Sequence, residues 1–336
     1  MIIPPGLSRG DKVCAINLSS GISSEALLYR YQVGKRQAQE AFDIDIVESK
    51  YALMPSEWLL HNPQARADDL MFALQDESIK GIFSIIGGKD ALSIVPYCDI
   101  KIIRQYPKIF VGNSDSTTIH WMFGKAGVQS YYGTSIMTGM AENNGMLEYT
   151  IRYIDKVLFG AHKECVVHDS GMCVDEYLEW SNRDNQVVSR QIRNNSWRVL
   201  QGQGCVQGEL WGGCPEVIAQ LQHTSLMPNV DFWYNKVLFL EVSEEMPSRE
   251  WFEHFVVDVF GYVVLSRLSA IVCGRPNTAS DIYTQVLQQV LSRYNLEQLP
   301  LIVDMDFGHT QPSCVLPYGR RCSLDIRDEQ VEFVLL

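Results

Sequence analysis

Long apolar runs are missing from this sequence, and so is any excess of positive charge. The longest apolar segments, such as Tyr262–Leu265, are interrupted by Ser or Arg and fall short of the ~18 residues that a membrane-spanning helix needs. The opening stretch, MIIPPGLSRG, puts two prolines where a secretory signal would carry positive residues and then an apolar core. Lys and Arg number 28 against 40 Asp and Glu, a net charge of −12. That balance argues against a general binder of nucleic-acid backbones and against docking on an anionic membrane. A zinc-type C-x-x-C is absent, and the nine cysteines are odd in number and scattered. Reduced thiols in a cytoplasmic protein fit this better than a disulfide framework or a metal cage. Internal repeats and low-complexity tracts are lacking as well.

What is present is a chain of 336 residues, 46% of them hydrophobic, which suits about two domains with cores of their own. In the first half, compact apolar runs alternate with helical patterns. KVCAIN (12–17), FDIDIV (42–47), GIFSII (81–86) and KIFVG (108–112) read as strands. Residues 23–42 form a long mixed segment with Ser23 or Ser24 as N-cap, and 65–76 an amphipathic helix. Alternation of this kind implies βαβ units and a parallel sheet. Residues 165–204 are polar and weakly periodic, as a crossover between domains would be. Beyond them KVLFLEV (236–242), PLIVDM (300–305) and the terminal QVEFVLL read as strands, with one helix over 281–294. The expected fold is α/β. An N-terminal Rossmann-like parallel-sheet domain spans 1–165, a crossover linker or substrate loop 166–200, and a smaller β-rich domain 201–336, with the active site in the cleft between the domains.

The sharpest local feature is KIFVGNSDSTTIHWMF, where a strand runs into Gly112-Asn113-Ser114-Asp115 and a helix opens at Ser116–Thr117. A serine on such a turn exposes its hydroxyl close to backbone N–H groups. Ser and Asp there also serve as ordinary helix caps, and both readings stay open on this segment. A second strand-to-helix turn, IIGGKDAL, holds Gly87 and Gly88, which permit close backbone approach; it does not match a P-loop. Adjacent strand ends of a parallel sheet share one crevice, so the amides of Gly88 and Asp115 could together form an oxyanion hole. The alternative is a plain tight turn.

In the second half, Glu241 sits among apolar neighbours in LFLEV, where a buried carboxylate needs a partner; a strand-end residue leaning into solvent is the plainer reading. His309 follows PLIVDM in DMDFGHT, a loop from which an imidazole could reach a cleft and act as a base at neutral pH. His120 falls within a helix and reads as packing or surface. D-F-G at 306–308 lacks the other kinase motifs, and GQGCVQG (202–208) misses the dinucleotide fingerprint by one residue. Asp304, Asp306 and His309 lack a fourth ligand for a metal site.

In order and spacing, GDKVCAINLSSG, ARADDL, IIGG followed by VPYCD, PKIFVGNSDST, LWGGCPEV, VLFLEVSEE and DFGHTQPSCVLPYG resemble the serine peptidase family of LD-carboxypeptidases and microcin C self-immunity peptidases. The resemblance covers nearly the whole chain. It implies a triad of Ser114 as nucleophile, His309 as general base and Glu241 as its orienting carboxylate, with Gly88 and Asp115 as the oxyanion hole. It also implies no metal or organic cofactor, and a homodimer. Cys214 stands after Gly212-Gly213 where many relatives have Asn. Trp180 and Trp197 in the crossover, with Trp211 beyond, resemble the immunity-peptidase branch, in which aromatic side chains help hold the adenine of an aminoacyl nucleotide. Gly87, Trp180, Trp211 and Cys214 are accordingly candidate substrate contacts, and packing is the competing role for each Trp.

The expected function is a cytoplasmic serine peptidase or amidase acting through an acyl-enzyme on a small peptide or aminoacyl-nucleotide. The alternatives are an LD-carboxypeptidase releasing D-alanine from a murein tetrapeptide and a non-catalytic small-molecule binding protein.

Overall fold

The computed structural model of the chain describes residues 1–160, 163–174, 176–277 and 281–336; Asp175 of the crossover lies outside them. The first half contributes β1 (Lys12–Ile16), β2 (Asp45–Glu48), β3 (Ile79–Ser84), β4 (Ile109–Gly112) and β5 (Tyr131–Tyr132). Then come β6 (Cys165–Val167), a small hairpin of β7 (Met172–Cys173) and β8 (Arg193–Asn194), β9 (Arg198–Gln201) and the long β10 (Gly204–Gly213). The remainder are β11 (Lys236–Leu240), β12 (Ala270–Gly274), β13 (Leu301–Met305), β14 (Leu316–Pro317), β15 (Arg321–Arg327) and β16 (Gln330–Leu335).

Five strands of the first sheet run parallel, in the order β5-β4-β3-β1-β2, with β14 added antiparallel at the β5 edge. The β-branched and aromatic strands are buried on both faces, as a sheet covered by helices requires. Helix Glu25–Phe42 links β1 to β2; Ser24 caps it by accepting from Leu27 N–H. Helix Pro63–Gln75 precedes β3. Successive crossovers return each strand in the same direction, so the carboxyl ends of β1, β3 and β4 open on one side of the sheet.

The second sheet has eight strands, β6-β16-β15-β10-β11-β12-β13-β9. Its centre, β10 to β13, is parallel, whereas β6, β9, β15 and β16 join antiparallel. The fold is therefore α/β in two domains, each with a parallel sheet at its heart. The second half is richer in helix than its sequence pattern suggests: Pro215–Leu221, Arg249–Phe255 and Gly261–Leu265 accompany Ile282–Arg293. In the stretch 249–265 apolar and aromatic residues occupy exposed positions (Tyr262, Val263) as well as buried ones, which hides the helical period. No helix among the described residues is long and apolar enough to cross a membrane.

The crossover is pinned at one buried carboxylate. Asp306, just past β13, accepts from Ser170 N (2.9 Å), Ser170 Oγ (2.5 Å) and Trp197 Nε1 (2.7 Å), and pairs with the buried Arg275 guanidinium. Asp304 instead holds Arg198. These two aspartates thus secure the segment 170–198 to the loop that carries His309. Replacing Asp306 with Ala would leave Arg275 buried and uncompensated. The expected loss is about 3–5 kcal/mol of unfolding free energy, measured by urea denaturation.

Candidate active site

Strand β4 delivers its chain at Gly112 to an extended Asn113 and then to Ser114, whose φ of +58° is left-handed. A three-residue turn, Ser114–Ser116, leads into helix Thr117–Lys125. Left-handed serine costs ~1–3 kcal/mol and persists only where its surroundings hold it. Here the holder is Tyr132 on the neighbouring β5, whose hydroxyl accepts from Ser114 N–H at 3.0 Å. The capping reading of this segment is not adopted: neither Asn113 nor Ser116 makes a side-chain cap bond. The Ser114 hydroxyl takes no hydrogen-bond partner among the described residues.

The side chain of Asp115 turns the other way, into the protein. Its Oδ2 accepts from Ser19 Oγ (2.5 Å) and Ala91 N–H (2.7 Å), and Ser19 Oγ in turn accepts from Asp90 N–H (3.0 Å). Burial raises its pKa against these bonds. One carboxylate thus ties together the loops at the carboxyl ends of β1, β3 and β4. Gly87 lies directly against the serine. A Cβ there would stand 2.8 Å from Ser114 Cβ, 3.0 Å from Ser114 Oγ and 3.4 Å from Asp115 N. Gly88, with φ +147°, runs past Ser19 and Ser20, each of whose hydroxyls would lie 2.3 Å from an added Cβ.

Glu241 follows β11 by one residue and is buried. Its two oxygens have separate partners. Oε1 accepts from the Tyr132 hydroxyl, and Oε2 meets His309 Nδ1 at 2.5 Å. Gly308 makes this approach possible, since a Cβ at 308 would lie 2.7 Å from Glu241 Oε2. The other imidazole nitrogen, Nε2, faces Glu244 Oε2 at 3.3 Å. Burial alone would favour neutral imidazole. Glu241 outweighs it through charge and hydrogen bond, Glu244 and Glu216 add to the pull, and His309 rises to about 9. Burial likewise pushes the Glu241 carboxyl up, opposed by His309 and by its hydrogen bonds to His309 and Tyr132. The Glu241 and Glu244 carboxylates at the two ring nitrogens favour the imidazolium–carboxylate form of the pair, whereas the sequence reading expected a neutral base. His120 behaves oppositely: burial lowers it to about 3, and it bonds Ser130 Oγ and Gly112 O at 2.9 Å as a neutral core residue.

The candidate substrate contacts fare unequally. Gly87 borders the serine, as described. Trp211 is interior: it packs edge-on against Phe232 and Tyr318, and a Cβ on Gly124 would overlap its ring at 2.0 Å. Trp180 is half-buried with the Arg30 guanidinium 4.1 Å above its ring, so that face is already covered. Cys214 is fully buried; its thiol donates to Glu216 Oε2 (3.2 Å) and its N–H to Thr117 Oγ1 (3.1 Å). Glu216 in turn accepts from Ser243 N–H and Oγ, so Cys214 braces the loop after Glu241. Among the described residues no cluster of three or more His, Cys, Asp or Glu could hold a metal ion. Tyr132, Ser19 and Gly308 escaped the sequence reading as site residues, although Ser19 and Gly308 lie inside the GDKVCAINLSSG and DFGHTQPSCVLPYG motifs; Glu244 reads in sequence as a solvent-leaning residue, and its side chain is mostly exposed.

A serine on a strained strand-to-helix turn, joined through Tyr132 to a buried Glu–His pair, is an arrangement that a serine-type hydrolase can use. Comparison with known proteins agrees. The LD-carboxypeptidase N-terminal domain model of peptidase family S66 matches residues 13–133, and the corresponding C-terminal domain model matches residues 207–324. The chain therefore belongs to the LD-carboxypeptidase family, peptidase S66. It is 24% identical over 279 residues to the microcin C7 self-immunity protein MccF of Escherichia coli, covering 79% of this chain and 77% of that one. An MccF-like protein from Streptococcus pneumoniae, solved in complex with AMP, superposes with a TM-score of 0.87 at 24% identity, over 96% of this chain and 98% of that chain. MccF solved with aspartyl sulfamoyl adenosine gives 0.87 at 21% identity, over 100% and 98%.

The approach of Gly87 to the serine yields a test. Gly87→Ala should displace Ser114 without disturbing either core, and kcat/KM should fall on the order of 10²-fold, the penalty of misplacing a reacting group by about an ångström. Steady-state kinetics beside a thermal melt would check this, and an unimpaired enzyme would refute it.

Proposed function

We propose that this chain is a serine amidase in which Ser114 attacks an amide carbonyl, His309 takes the serine proton and Glu241 orients and charges the imidazole. The observation that carries the reading is the 2.5 Å Glu241–His309 bond, joined through Tyr132 to the backbone of a left-handed Ser114. The serine belongs to the N-terminal region 1–165 and the acid and base to 201–336, so the site exists only where the two domains meet. The amides of Gly88 and Asp115 are assigned to the oxyanion of the tetrahedral intermediate. Collapse of that intermediate expels the amine, to which His309 returns the proton; water, deprotonated by the same His, then releases the acyl group.

For substrate we favour an aminoacyl- or peptidyl-nucleotide amide. The similar structures with AMP and with aspartyl sulfamoyl adenosine support a nucleotide-bearing ligand. With Trp211 and Cys214 buried in packing and one face of Trp180 covered by Arg30, other side chains are the better candidates to hold it. The family description supports a second reading, release of D-alanine from a murein tetrapeptide. Incubating the protein with each substrate separately decides between them: D-alanine release without cleavage of an aminoacyl-sulfamoyl adenosine would overturn our first choice. Ser114→Ala should abolish either hydrolysis by ~10³-fold or more with folding unchanged. A variant that retained biological activity would instead mark a non-catalytic binding protein.

The charge on His309 makes a further prediction. A base must be neutral to accept the serine proton, and a group near 9 is mostly protonated at pH 7. The kcat/KM should therefore rise from pH 7 towards 9. Glu244→Gln removes one negative charge facing Nε2 and weakens the hold on the proton, so the acid limb should move to lower pH by about half a unit. A pH–rate profile of both proteins measures this.

A further inference from the structure

The Tyr132 side chain touches both halves of the proposed triad. It lies on β5, paired beside the last residue of β4, and is wholly buried. Its ring is enclosed by Phe239 at 5.4 Å, His120 at 5.7 Å and Tyr318 at 6.4 Å between centroids, so the hydroxyl has one place to go. That hydroxyl uses both its capacities: it accepts from Ser114 N–H and donates to Glu241 Oε1. A phenol can be donor here only while it keeps its proton. Burial first, then the charge of Glu241 and the neighbouring Cys214 and Tyr318, hold its ionisation well above the ordinary phenol range.

We propose that Tyr132 is a positioning residue for catalysis, fixing the strained Ser114 backbone with one side of its hydroxyl and presenting the Glu241 carboxylate to His309 with the other. Two consequences follow from the geometry. The Ser114 N–H is consumed by Tyr132 and is not an oxyanion donor, which leaves that task to other amides. Glu241 Oε1 is satisfied by a neutral donor, so the carboxylate shares its charge between Tyr132 and His309 and does not spend all of it on the imidazolium. The charged groups that face His309 are Glu241 and Glu244 from the loop after β11, with Glu216 of helix Pro215–Leu221 acting from further off; Tyr132 adds no charge of its own and acts on His309 only through Glu241.

This inference rests on the triad reading for its effect on rate, but not for its effect on His309. The test is Tyr132→Phe, which keeps the ring and removes only the hydroxyl. With Oε1 left unpartnered, Glu241 should hold the His309 proton more tightly. The imidazole titration, followed by NMR, should then shift upward by about one pH unit relative to wild type, and the acid limb of kcat/KM should follow it. The kcat should fall about 10- to 100-fold with KM changed less than about threefold, because alignment is lost and binding is not. Should Tyr132→Phe fail to fold, 3-fluorotyrosine placed at position 132 is a stronger donor of the same shape, and the His309 titration should move downward. A titration unmoved in the variant that folds overturns the proposal whatever the rate does, since a packing role alone would leave it in place. Ser114→Ala, assayed in parallel, reports separately on the triad: if it remains active, the proposed function fails while the His309 shift still judges Tyr132.

Discussion

The burial of one carboxylate governs the arrangement of this molecule. Glu241 has left water at the end of a parallel strand, and a buried carboxylate is costly unless every oxygen finds a partner. Its partners come from opposite directions: Tyr132 from the first sheet and His309 from the loop beyond β13. Satisfying Glu241 therefore requires the two domains to be docked and the His309 loop to be in place. The contacts around it serve that docking. Trp121 Nε1 and the Tyr318 hydroxyl both donate to Gly212 O, at 2.9 and 2.8 Å, while β14 returns from the second half to extend the first sheet.

Two aspartates likewise gather distant segments: Asp306 through both of its oxygens, Asp115 through Oδ2 alone. Asp115 gathers three strand-end loops, so that the serine turn, the Gly87 turn and the Ser19 loop are held as one unit. Asp306 fastens the polar crossover to the His309 loop through Ser170, Trp197 and Arg275. In each case an acidic side chain, surrendering its hydration, is paired with donors from chain segments far apart in sequence. The net charge of −12 thus has two parts: a solvated surface, and a few interior carboxylates that define the site's shape.

Much of this was legible in the sequence for local reasons. Strands β1, β3 and β4 are short β-branched runs bounded by polar or glycine residues, and Ser114 stands where such a run meets a helix. Glu241 was conspicuous as a charge inside an apolar strand, and His309 as a histidine just after one. Tyr132 was not legible, because a two-residue strand has no period and the use of its hydroxyl depends on a glutamate 109 residues away. Trp211 was left between substrate contact and packing, because an indole reads alike in sequence whether it faces a ligand or a core. What decides is the missing side chain of Gly124, into whose space it packs.

Sequence by itself determined the α/β pattern and the strand-to-helix turn bearing Ser114, since these depend on residue types over a few neighbouring positions, and it singled out Glu241 and His309 as candidates for acid and base through a resemblance spread along the chain. Only the tertiary structure decided that Ser114 is left-handed, that Tyr132 links it to Glu241 and that His309 faces a second carboxylate, Glu244. Those properties arise from charge and hydrogen bonding between segments from both domains, and no local pattern encodes a proton affinity set by neighbours that distant.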